Sequence, residues 1–259
     1  MIRRFSKESV EVVIQPIIIG LIAGFGWVFT SYIALGNFEI FSLVFAIGIT
    51  YITIMILILT GRKSDYQAPL HKKVAIFKPA IVNGFLFMII STLLVEVFYF
   101  VAMRLGAWAS PVMDYAIFLN APLLALPFFA LFMGLSAAIS EEAIFRRYLI
   151  PIFDRFGVVI SLLLTSYLWA IGHVGYHMFP WHIRIIEFMI IVGPIFYYIY
   201  KRYGFLTAIF CHFFYNSFFG AIFLLGLDIK IGLLTIVLTL SPFFIFFIKA
   251  DKQEENAIM

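Results

Sequence analysis

Residues 205–225 read FLTAIFCHFFYNSFFGAIFLL, without a single Asp, Glu, Lys or Arg. At 1.5 Å of rise per residue, a helix of this length crosses the ~30 Å hydrocarbon core of a bilayer. Working outward, comparable apolar runs lie near 12–35, 38–60, 79–103, 115–140, 157–175, 185–200 and 231–249. None alternates as a strand would, and in lipid only helices and closed barrels satisfy their own backbone. The whole chain has the same character. Of its 259 residues 64% are apolar and 12% charged, against roughly 45–50% and ~25% in ordinary globular domains. Such a chain has too little polar surface to cover a water-soluble globule. The expected fold is therefore an all-α polytopic membrane protein with about eight transmembrane helices in one bundle. Disordered, collagen-like and coiled-coil classes are excluded, and the single Cys211 forbids an internal disulfide framework.

The net charge is +4. Its basic residues stand between apolar runs, a placement that suits topology and anionic lipid, so no nucleic-acid partner is expected. Gly61–Lys78 is a basic connector, and Asp154–Gly157 and Lys201–Gly204 read as tight turns. With eight spans and a cytoplasmic N-terminus, only Arg104, Arg184 and Lys230 of the 18 Lys and Arg fall on the opposite side. This positive-inside pattern places both termini in the cytoplasm of a cell-membrane protein. The first run is longer than a signal-peptide core and counts as a span. The last four residues, Asn256–Met259, mimic a prenylation box but have Asn where Cys is required. Residues 1–259 read as one integral membrane domain: variable helices over 1–110, core helices over 115–225, and a last helix and tail over 226–259.

Charges within lipid cost about 2.5–3.5 kcal/mol each at a helix centre, so their positions are informative. The densest cluster runs from Ser140 through Glu141, Glu142 and Arg146 to Arg147. Glu142 and Arg146 are spaced i,i+4 with the acid first, the favourable order for a helical ion pair. Glu141 lies about 100° round the helix, above the apolar Phe145, in the surroundings that general-base carboxylates use. Trp169, His173 and His177 share one face of another run, as do His212 and Asn216 of a third. Glu141 precedes Phe156 by 15 residues and His173 follows it by 17. Two antiparallel helices joined at that turn would bring both to the same depth, about 23–25 Å from it. His212 and Asn216 approach the same layer, about 12–18 Å beyond Gly204.

Glu141-Glu142-x-x-x-Arg146, an aromatic-x-x-x-His at Trp169 and His173, and His212-x-x-x-Asn216 together resemble the three motifs of the CAAX protease and bacteriocin-processing (CPBP, or Abi) family. These are intramembrane glutamic endopeptidases that include the type II CAAX prenyl proteases. The resemblance covers roughly residues 115–225. Two positions depart from the usual residues: Trp169 stands where Phe is common, and Arg147 where Gly commonly follows the motif arginine. Both bear on pocket shape and substrate. The resemblance implies that Glu141 takes a proton from water, that His173 orients this water, and that His212 and Asn216 donate to the oxyanion. Glu142 and Arg146 become a structural pair. It implies no metal and no other cofactor. The implied substrate is a prenylated CAAX-type C-terminus or a leader peptide, met in membrane lipid.

Two other readings stand beside this one. Glu141, His173, His177 and His212 are zinc ligands in number and type, but His173–His177 lacks the acid of an H-E-x-x-H motif and Asn216 is left without a role. The second is a non-catalytic immunity or scaffold protein that uses the polar layer for binding, with Glu39, Glu96 and Glu187 as helix-end or interhelical hydrogen-bonding groups. Topology leaves one alternative open as well. A cytoplasmic Asp154–Gly157 turn puts the catalytic layer in the outer leaflet. A further crossing or re-entrant segment within 104–154, broken near Pro122 and Pro127, would turn the layer toward the cytosol.

Overall fold

The computed structural model describes residues 70–107, 123–173 and 180–245. All regular elements among them are helical, as a chain solvated by lipid requires. Four helices are long and apolar enough to cross a membrane: Phe77–Arg104, Leu123–Phe156, Trp181–Tyr203 and Phe205–Leu227. Val158–Ile171 and Ile229–Thr239 are shorter apolar helices. The runs near 12–35 and 38–60 lie outside the described residues. The count of eight spans thus becomes four long helices and two shorter ones over the part described.

The boundaries also differ in one place that matters. The sequence ends a span at residue 140, where the charges begin, yet the helical run continues to Phe156. Glu141, Glu142 and Arg146 are buried inside it. Charges can extend a buried helix when they are paired, and these are.

The described residues fall into two compact units. One holds residues 70–92, 123–140 and 199–245. It contains the first part of α1 (Leu70–Arg104), α2 (Leu126–Glu141) entered through a 3₁₀ turn, and the antiparallel pair α7 (Phe205–Leu227) and α8 (Ile229–Thr239). Asp228 forms the α7–α8 corner and caps α8, accepting from the backbone N–H groups of Lys230 (2.8 Å) and Ile231 (3.1 Å). Leu126, Ala130, Leu224 and Ile231 form a buried cluster beneath it. Lipid gives helices no hydrophobic drive to associate, so small residues at their crossings count for more. A Cβ on Gly84 would lie 2.7 Å from Phe210 Cβ, and one on Gly134 would lie 2.5 Å from Ser217 Oγ and 3.6 Å from Asn216 Cβ. Phe85 adds edge-on contacts to Phe214 and Phe243.

The other unit holds residues 93–107, 141–173 and 180–198. A π-helical turn, Glu142–Tyr148, continues into α3 (Leu149–Phe153) and a 3₁₀ turn (Asp154–Phe156). Gly157, at φ +106°, reverses the chain into α4 (Val158–Ile171); only glycine adopts this conformation without strain. Then come α5 (Trp181–Glu187), a second π-helical turn (Phe188–Val192) and α6 (Gly193–Tyr203). Helix α4 packs against both π turns. Gly193 lets the second approach closely, since a Cβ there would overlap the Ser166 side chain. Tyr197 Oη donates to Asp154 Oδ1 (2.7 Å), tying α6 to the turn.

Candidate active site

Glu141 is the last residue of α2 and Glu142 the first of the π turn. Departures from α-helical bonding of this kind gather at functional sites, because the extra residue per turn re-aims side chains. Glu142 pairs with Arg146: Nε lies 3.3 Å from Oε2, at 0% and 3% side-chain exposure. The arginine also rests on aromatic faces, with Cζ 3.6 Å from the centroid of Trp169 and 5.1 Å from that of Phe196. Stacking of this sort stabilises a guanidinium away from water.

Trp169 stands at the centre of the cluster. Its ring meets Phe188 and Phe196 edge-on, at 4.7 and 5.2 Å between centroids. Its indole Nε1–H donates to Glu141 Oε2. One helical turn further on, His173 Nδ1 lies 3.0 Å from the Trp169 carbonyl oxygen. A carbonyl only accepts, so Nδ1 carries the proton and Nε2 of the neutral ring presents a lone pair. That Nε2 lies 3.8 Å from Glu141 Oε2. The His173 ring stacks obliquely on Phe188 at 4.5 Å. A carboxylate oxygen and an imidazole nitrogen thus face each other within a wall of aromatic rings.

His212 and Asn216 lie on α7, in the other unit. His212 is buried and Asn216 is half-buried beside Gly134. His177 lies outside the described residues, so the zinc quartet is present only in part. Among the described residues no three His, Cys, Asp or Glu side chains gather as metal ligands. Glu96 is on the exposed face of α1, Glu187 is buried, and Glu39 lies outside the described residues.

Two features were not read from the sequence. One is the hydrogen bond from the Trp169 indole, whose N–H has no visible partner in the sequence around it. The other is a buried polar cluster in which Tyr99 Oη donates to Glu187 Oε2. Arg184 Nη1 donates to that oxygen (2.6 Å) and to Tyr99 Oη (3.1 Å). The i,i+3 spacing of Arg184 and Glu187 signals their pairing; nothing in the sequence points to Tyr99. Arg184 in turn lies over Phe188, 4.9 Å from its centroid, which fixes the ring that His173 rests on.

Residues 122–218 match the Rce1-like family, described as type II CAAX prenyl endopeptidase Rce1-like. This segment is similar to that family. It contains Glu141, Glu142, Arg146, Trp169, His173, His212 and Asn216, and covers less than half of the chain. No curated protein and no solved structure matches. The Rce1-like family is a protease family, and its match, with the long apolar helices, supports an integral membrane protein of the CAAX-protease kind.

Proposed function

We propose that this protein is an intramembrane glutamic endopeptidase that hydrolyses a peptide bond of a membrane-associated substrate, a prenylated CAAX-type C-terminus in the first instance. The observation that carries this reading is the approach of the buried Glu141 Oε2 to Nε2 of the partly buried His173 at 3.8 Å, inside the family segment. The separation is too long for a direct hydrogen bond, but one water can bridge it. Placed about 2.8 Å from each atom, its oxygen subtends an angle of about 85°. Such a water donates one proton to each partner and turns a lone pair outward, toward a scissile carbonyl.

In the mechanism that follows, Glu141 takes a proton as the water oxygen bonds to the carbonyl carbon. His173, held as the Nδ1–H tautomer, orients the water through Nε2. The carbonyl oxygen becomes an oxyanion, and His212 and Asn216 serve as its hydrogen-bond donors, a contribution that is large where water is scarce. The proton on Glu141 then passes to the leaving amine as the C–N bond breaks. Glu142 and Arg146 hold the helix in place. The positive-inside distribution supports cytoplasmic termini.

The test is cleavage of an internally quenched farnesylated CAAX peptide by the purified protein in proteoliposomes. The wild type is expected to cleave it, and Glu141→Gln to abolish cleavage at normal yield of folded protein. Full activity of Glu141→Gln would overturn the assignment. No cleavage of the farnesylated peptide by the wild type would move the substrate to a leader peptide.

A further inference from the structure

Resting on the glutamate–histidine reading above, we propose that Trp169 is a positioning residue for both proton-handling groups. Its indole N–H fixes the Glu141 oxygen that faces His173, and its backbone carbonyl fixes the His173 tautomer. Each half of this statement has its own contact. The indole donates to Oε2 of Glu141, the same oxygen that lies 3.8 Å from His173 Nε2. The carbonyl of the same residue accepts from His173 Nδ1 at 3.0 Å, which leaves Nε2 as the acceptor.

A glutamate side chain turns about three bonds, and its freedom is a cost that any reactive geometry must overcome. Without a fixed donor, rotation about these bonds would carry Oε2 away from the imidazole. The indole can restrain it only if the ring itself is immobile, and it is. Arg146 covers a face at 3.6 Å, Phe188 and Phe196 press on it edge-on, and the residue is buried. A hydrogen bond from N–H to a carboxylate in such surroundings is of the stronger, charge-assisted kind. A phenyl ring at this position would fill the space without holding the oxygen. The buried Glu142–Arg146 pair therefore acts on the reacting carboxylate through the indole, by clamping the ring that positions it.

The decisive variant replaces Trp169 with 3-benzothienylalanine, an isosteric analogue in which sulfur takes the place of N–H. Packing and the arginine stack are kept and only the donor is lost. With the farnesylated peptide, kcat is expected to fall by about tenfold to a hundredfold, with KM unchanged. A second measurement needs no turnover: the indole ¹⁵N–¹H spectrum of the protein, which has four tryptophans. The Trp169 signal, identified by its loss in Trp169→Phe, is expected farthest downfield and is expected to move upfield in Glu141→Gln. An unchanged kcat in the benzothienyl variant, or a Trp169 signal indifferent to Glu141→Gln, overturns the positioning role. A fully active Glu141→Gln would instead overturn the hydrolytic reading beneath it, so the two failures are told apart.

Discussion

Replacing Arg146 with methionine tests how the buried charges are held. Glu142 and Arg146 are 0% and 3% exposed and 3.3 Å apart. Removing one partner of such a pair costs about 3–5 kcal/mol, because the remaining charge is left in a medium that solvates it poorly. The stack of the guanidinium on Trp169 at 3.6 Å contributes about 2 kcal/mol when desolvated. A thioether against the same ring returns about 0.3–1.5 kcal/mol. The net loss is about 3.5–7 kcal/mol. At about 2–4 °C per kcal/mol for a chain of this size, the unfolding midpoint should fall by at least about 7 °C. The assay is built into the chain: Cys211 is its one cysteine and is fully buried, so a thiol-reactive fluorophore reports unfolding in detergent. The control is Glu142→Leu with Arg146→Met. Replacing both members of a buried pair with apolar residues is often neutral or stabilising, so the double variant should recover more than half of the loss. If it melts no higher than Arg146→Met alone, the two charges are not coupled and the reasoning fails.

Two further predictions concern oxyanion stabilisation and packing. His212→Ala and Asn216→Ala should each lower kcat on the farnesylated peptide by about 10²–10³ with little change in KM; a loss confined to KM would assign these residues to substrate binding instead. Gly193→Ala places a methyl group against Ser166 and should cost about 1–3 kcal/mol by overpacking. The added change Ser166→Gly removes the side-chain overlap but not the 2.5 Å approach to the Phe188 carbonyl oxygen, so it should restore the Cys211 midpoint in part; no restoration at all would mean that the Ser166 contact does not limit this approach.

Composition and charge made the fold class legible, because the requirement that a lipid-solvated backbone bond to itself leaves few alternatives. The turns were legible for a local reason. Gly157 and Gly204, at φ +106° and +90°, stand where the sequence puts polar breaks before new apolar runs. The pairing of Glu142 with Arg146 followed from i,i+4 spacing, and the nearness of Glu141 to His173 from counting residues about one turn. Three things were not legible. The helical run continues through the charged motif because, beside the local Glu142–Arg146 pair, Trp169 holds both Glu141 and Arg146 from more than twenty positions along the chain, beyond any short window of sequence. The indole bond depends on a rotamer set by Phe188 and Phe196, on a different helical segment. Tyr99 meets Glu187 across 88 positions, and an isolated tyrosine in an apolar run gives no sign of such a partner.

The π turn explains how one buried stripe carries both the packing and the acid proposed to react. Ala137, Glu141, Phe145, Leu149 and Phe153 are all buried, at strict intervals of four. In an uninterrupted α-helix each interval of four overshoots a full turn by about 40°, so the stripe would wind about 160° round the axis over this length. A π turn takes in one residue more, and so removes about 100° of that drift. It lies at Glu142–Tyr148, in the middle of the stripe. Leu149 and Phe153 therefore face inward with Glu141, where a regular helix would have turned them away. Ser140 to Arg146 become buried on every side, a setting normally reserved for apolar helices. The three ionisable residues in that stretch are tolerated because each has a partner that is not water: Arg146 for Glu142, the Trp169 ring for Arg146, and the Trp169 N–H for Glu141. Water is thereby excluded from the structural pair, while Glu141 keeps an oxygen directed at His173. The hydrolysis proposed above, with one reactive water held within lipid, needs that combination.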